Sequence, residues 1–177
     1  MNAMTAADAY GRLSEPTTLV IQRVLPGPAE RVWRYLVDSD LRRQWLAAGD
    51  MEERVGAPLT LTWRNGELSK QPGQRPEGAS EEHSLASEVT ALEPNRKLAI
   101  TWGSTGGVTF EIEPSGKDVI LTITHRRVED PAMRLNVSAG WHAHLDFLAM
   151  RLAGDETPDF WSYWQALKAE YARRLAG

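Results

Sequence analysis

Two rhythms of hydrophobic and polar residues run along the chain. A period of two opens it in "TTLVIQRVL", where Leu19, Ile21, Arg23 and Leu25 share one face and predict a strand over Thr17–Leu25. A helical period follows. Ala29, Val32, Trp33, Leu36 and Val37 form one stripe behind Pro28, which suits a first helical turn. "DSD" breaks and caps that helix, and "LRRQWL" adds a second, short one with Leu41 and Trp45 four residues apart. The period of two then returns in "PLTLTW" (Leu59, Leu61, Trp63), "SLASEVTAL", "KLAITW" (Leu98, Ile100, Trp102), "GVTFEIE" (Val108, Phe110, Ile112) and "DVILTITH" (Val119, Leu121, Ile123, His125). The links "EPNR", "GSTGG" and "PSGK" read as hairpin turns, so these strands are expected to form an antiparallel sheet with one buried face.

Two helices end the chain. The first is expected over about Asn136–Ala153, with Trp141, Leu145, Leu148 and Leu152 as its buried stripe and Gly154 as its stop. The second starts with Thr157 as N-cap, Pro158 in the first position and Asp159 at the positive helix end. Its stripe is Phe160, Trp164, Leu167 and Tyr171. Trp161 and Tyr163 fall off that stripe and predict a second apolar surface, for a partner or for a homodimer. Residues 1–16 read as a loosely ordered lead-in. Asn65–Ser84 carries one leucine and no other large apolar residue, and such a stretch is either a mobile hairpin tip or a flap over a pocket mouth. No repeat and no second core is visible, so residues 1–177 are expected to be one domain with the order β–α–α–(five β)–α–α.

Composition narrows the chemistry. With 42% hydrophobic and 25% charged residues, 177 residues suit a domain that needs no staple. The absence of cysteine excludes disulfides, thiolate metal sites and a cysteine nucleophile, and fits a cytoplasmic, reducing setting. A net charge of -4 argues against nucleic acid as partner, and no apolar run reaches a membrane span. No dinucleotide fingerprint, phosphate loop or acidic metal cluster is present, so neither a cofactor nor a metal is expected. Ser104 and Thr105 lie in a glycine-rich turn rather than a nucleophile elbow.

The histidines and tryptophans are the remaining candidates. His142 and His144 are two residues apart, and on a helix that turns about 100° per residue they point roughly 200° apart. They therefore cannot share a metal. His142 lies one turn from Asp146, with which it is expected to make a partly solvated pair, while His144 flanks the buried stripe. His125 extends an apolar strand face, where an imidazole serves either as a proton donor and acceptor or as a hydrogen-bonded structural group. Trp63, Trp102 and Trp141 fall on inward faces, where they either line a cavity or fill a core. Trp33 and Trp45 read as packing anchors.

"IQRVLPGPAERVWRYLVDSDLRRQWL", together with "YGRL", "GWHAHLDFLAMRLAG" and "PDFWSYWQALKAEYARRL", resembles the activator-of-heat-shock-ATPase-like branch of the SRPBCC superfamily, to which START domains and the birch-pollen allergen belong. The resemblance, to bacterial single-domain members, covers nearly the whole chain. It implies an α+β helix-grip (START-like) fold: a curved antiparallel sheet wrapped around a long C-terminal helix, with a cavity between them. It further implies binding of an apolar or amphipathic small molecule there, in a stress or regulatory setting. Combined with the face assignments, the cavity between the sheet and helix 136–153 would be walled by Trp63, Trp102, Phe110, Trp141 and Leu145, with His125 and His144 as polar points and Arg23 as a further candidate. The alternatives are a cyclase or hydrolase using His125 or His144, and a co-chaperone-like interaction protein. The chaperone partner is not expected, because the separate N-terminal domain through which the eukaryotic co-chaperone makes that contact is lacking.

Overall fold

The computed structural model describes residues 9–70, 73–104 and 106–175. The elements run β1 (Arg12–Glu15), β2 (Thr18–Pro26), α1 (Ala29–Val37), α2 (Ser39–Arg42), β3 (Pro58–Trp63), a 3-10 turn (Asn65–Leu68), β4 (His83–Glu93), β5 (Lys97–Trp102), β6 (Gly106–Ser115), β7 (Asp118–Arg126), α3 (Pro131–Ala153) and α4 (Phe160–Leu175). The seven strands form one antiparallel sheet in the order β1-β2-β7-β6-β5-β4-β3. Helix α3 packs on it, in the helix-grip α+β arrangement, and α4 packs on α3.

The alternating pattern explains the sheet's buried face. Along β7, Val119, Leu121, Ile123 and His125 are buried while the residues between them are partly exposed. These four pair with Leu25, Arg23, Ile21 and Leu19 of β2, so two predicted faces coincide in register. Strand β4 serves two neighbours. Its first half, His83–Glu88, pairs with β3, and after an irregularity between Val89 and Ala91 its second half pairs with β5. At the other side of α1, buried Arg42 donates to the carbonyls of Leu36 (3.0 Å), Ala47 (3.1 Å) and Gly49, joining the end of α1 to the approach to β3.

Three expectations need correction. Residues 1–8 of the proposed lead-in lie outside the described residues, but Arg12–Glu15 form β1. "RLSE" has a single apolar side chain, so an edge strand that relies on backbone bonds to β2 leaves no alternation to read. Helix α3 begins at Pro131 rather than near Asn136, capped by the Asp130 carboxylate on the Ala132 N–H at 3.0 Å. Its first turn contributes no stripe because Met133 is exposed. Helix α4 is capped by Asp159, which accepts from the Trp161 N–H and the Ser162 hydroxyl. The hydroxyl of Thr157, the expected cap, donates to the Leu68 carbonyl instead. At the far end of α3 the expected stop holds: Gly154 adopts φ 77°, and Asp155 N–H returns to Met150 C=O. No helix among the described residues is long and apolar enough to cross a membrane.

Candidate functional site

The interior between sheet and helix is not uniformly open. Around Phe110, Leu61, Leu98 and Ile100 only about 10 Å³ of free space remains. Open space of about 560 Å³ lies instead where β3 and β5 end, between the first half of α3, the start of α4 and the loop that joins β3 to β4. Trp63 and Trp102 close β3 and β5 there, Trp141 projects from α3, and Trp161 and Trp164 come from α4. Five of the chain's seven tryptophans thus line one cavity. The rings brace each other: Trp102 stands 5.5 Å from Trp63 and 5.6 Å from Trp141, centroid to centroid. Polar groups are few. His144 and Asn136 lie on the α3 side, Asn65, Glu77 and His83 on the β3–β4 side, and Lys168 on α4, its ammonium 5.1 Å from the Trp164 ring.

Of the residues expected to form the site, Trp63, Trp102, Trp141 and His144 line this cavity. Phe110, His125 and Leu145 do not line it; they are buried in closed packing behind it. Phe110 supports Trp141 edge-on at 5.8 Å, and His125 Nδ1 accepts the indole N–H of Trp141 at 3.0 Å. That bond requires a free lone pair on Nδ1, and burial pulls the His125 pKa from 6.5 down to about 4, so the neutral ring is the form the fold accommodates. His125 holds a cavity wall rather than forming one. Arg23 also lies outside the lining. Its guanidinium meets Asp146 at 3.0 Å and the Ala9 carbonyl at 2.8 Å.

The two helix histidines separate as helical geometry requires. His142 is buried rather than partly solvated, and bridges Asp146 Oδ2 (3.3 Å from Nε2) and the Tyr171 hydroxyl (2.9 Å from Nδ1). Tyr171 accepts the Gly11 N–H at 2.7 Å, and Tyr163 donates to Asp146 at 2.5 Å. Burial alone would raise the Asp146 pKa, but the His142 hydrogen bond, the Arg23 charge and the Tyr163 hydroxyl outweigh it and hold the carboxyl below its ordinary value. This network ties β2, α3, α4 and the chain before β1 together, away from the cavity. His144 faces the segment that follows α2 and the start of α4. Its Nδ1 lies 2.7 Å from the Trp45 carbonyl, and its ring is 5.1 Å from that of Phe160. Burial, partly opposed by that carbonyl, lowers its pKa to about 4. Among the described residues no group of three or more His, Asp or Glu side chains is placed to hold a metal ion.

The polar stretch 65–84 forms part of the wall. Asn65, Pro76–Ala79 and His83 line the cavity; residues 71 and 72 lie outside the described set. The Leu68 carbonyl accepts from Thr157 Oγ1 at 2.6 Å and from Arg151 Nη2 at 2.9 Å, and Ser69 donates to the Pro158 carbonyl. The loop is therefore fastened to the α3–α4 connection. Thr105 also falls outside the described residues; Ser104 sits in the turn that joins β5 to β6, as its glycine neighbours predict.

The sequence profile described as "Activator of Hsp90 ATPase homolog 1-like protein" matches residues 26–153. The chain belongs to this activator-of-Hsp90-ATPase-like family. Its fold is shared with a Bordetella parapertussis protein encoded by gene BPP1335 and solved by NMR, at 34% identity, with 98% of this chain and 95% of that one covered and a TM-score of 0.75. Two further neighbours show the fold alone: CalU16 from Micromonospora echinospora (21% identity, 88% and 86% covered, TM-score 0.65), and EF2215, a conserved protein of unknown function from Enterococcus faecalis (20%, 94% and 89%, 0.69). No curated protein matches significantly. The match to the Hsp90-activator-like profile ends at the last residue of α3, so the cavity wall supplied by Phe160, Trp161, Trp164 and Lys168 lies beyond it. Those four residues were not among the expected site residues. For Trp161 the signal was an indole off the main stripe: read as an outward surface, it is buried against the cavity, while half-buried Tyr163 is bonded to Asp146.

Proposed function

We propose that this Hsp90-activator-like protein binds an aromatic or otherwise apolar, amphipathic small molecule in the tryptophan-lined cavity. The observation that carries the reading is the convergence of five indoles on open space of about 560 Å³. Indoles recruited only for stability would be expected in close packing, as around Phe110. A space of this size, mostly apolar with a few polar groups at its edge, has the character of a small-molecule site. The covering loop, fastened at Leu68 and Ser69, would keep solvent from a bound ligand's apolar face.

Gly140 supplies the test. It lies in α3 on the cavity wall, and a Cβ added there meets no atom within 4 Å. Gly140→Phe is expected to fill the cavity with little change in stability, because phenylalanine is only a modestly better helix former than glycine. Intrinsic tryptophan fluorescence should respond to one or more of a panel of fatty acids, flat aromatics and polyketide-like compounds in the native protein, and not in Gly140→Phe of unchanged melting temperature. An undiminished response in that folded variant, or none in the native protein, contradicts the proposal.

A further inference from the structure

The cavity has one hydrogen-bonding group whose direction the fold fixes. A carbonyl oxygen has only lone pairs, so the 2.7 Å contact between Trp45 C=O and His144 Nδ1 requires the proton on Nδ1. A neutral imidazole carries one such proton, which leaves Nε2 as a bare acceptor. The ring is held in that orientation by this bond and by Phe160 beside it. His144 is 94% buried, yet Nε2 has no hydrogen-bond partner among the described residues and is not among their sealed, unpartnered polar atoms. The open space that His144 lines is the tryptophan cavity. Burial also disfavours the protonated ring, with the His144 pKa lowered to about 4, so Nε2 stays an acceptor at neutral pH.

We infer that His144 Nε2 selects ligands that carry a hydrogen-bond donor, such as an aromatic hydroxyl or N–H, over apolar molecules of the same shape. This rests on the ligand-binding reading above and adds the ligand's chemical class. An acceptor in a mostly apolar site discriminates because a partner that cannot donate leaves it desolvated and unpaired. The opposite polarity, a carbonyl or ether presented to His144, would meet lone pair with lone pair.

The test compares 2-naphthol with 2-methoxynaphthalene, which differ chiefly in the donor. Isothermal titration calorimetry should show 2-naphthol binding roughly three- to tenfold more tightly, the range expected for one net hydrogen bond. Long-range proton–nitrogen NMR of the 15N-labelled protein should find His144 in the Nδ1–H form, with Nε2 moving toward the protonated end of its range on adding 2-naphthol and not on adding 2-methoxynaphthalene. Equal affinities with a stationary Nε2 signal would overturn the inference while leaving the cavity reading in place. Indole signals unmoved by either compound would count against the cavity reading, and with it this inference.

Discussion

Arg23 occupies a strand position whose neighbours on the same face, Ile21 and Leu25, are buried. A charge is tolerated there because Asp146 meets it from α3, and Asp146 is in turn held by His142 and Tyr163. The four histidines divide by what they touch. His125 and His144 are buried without a carboxylate partner, which makes their neutral forms the native ones. Their folded pKa values, about 4, lie below the unfolded value of 6.5, so the unfolded chain binds more protons between these limits. Stability is then fully present above pH 6.5 and is lost as pH falls toward 4, by up to on the order of 3 kcal/mol for each ring. Asp146, also lowered, extends the loss to more acidic pH. Urea unfolding between pH 7 and pH 4 should show the midpoint falling throughout; a flat profile would contradict the buried, neutral assignment. At this scale the sequence revealed that His142 and His144 diverge, because helix geometry alone decides it. Their partners, Tyr171 and Trp45, lie 29 and 99 residues away and no local pattern names them.

Elements formed wherever one face is buried were readable from the pattern: β2 through β7 and the two long helices follow the alternation and the stripes. The edge strand β1 and the exposed first turn of α3 were not, since neither buries a repeating face. The loop 65–84 was open between a hairpin tip and a flap, and its place depends on bonds to side chains and backbone more than 80 residues away. Arg151 spans from the Gln44 carbonyl (3.0 Å) to the Leu68 carbonyl (2.9 Å), coupling α2's exit, α3 and the loop. Removing it in Arg151→Ala should raise amide hydrogen exchange in the described parts of residues 65–84 by an order of magnitude, roughly what losing one charge-assisted bond implies. Exchange in β6 and β7 should be unaffected. Unchanged loop protection would show that Thr157 and Ser69 suffice to fasten it.

The whole molecule puts its aromatic residues to two uses. Trp33 and Trp45 anchor the α1–α2 region, their indole N–H groups bonded to Glu53 and to the Tyr35 carbonyl. The other five tryptophans face the cavity. Trp63, Trp102 and Trp141 were legible as inward-facing because each ends or continues an apolar stripe. Whether they filled a core or lined a space was not legible, because packing volume depends on the approach of α4. Phe110, His125 and Leu145 show the same limit: their inward direction was correctly read, but the space opens at one end of the sheet and they lie in its closed part. The central claim is that the five indoles share one ligand-accessible space. The most direct measurement is the indole region of the proton–nitrogen spectrum during a titration with 2-naphthol. The signals of Trp63, Trp102, Trp141, Trp161 and Trp164 should shift together to one saturation point while those of Trp33 and Trp45 stay fixed. Seven stationary signals, or shifts at Trp33 and Trp45 as large as those of the other five, would contradict it.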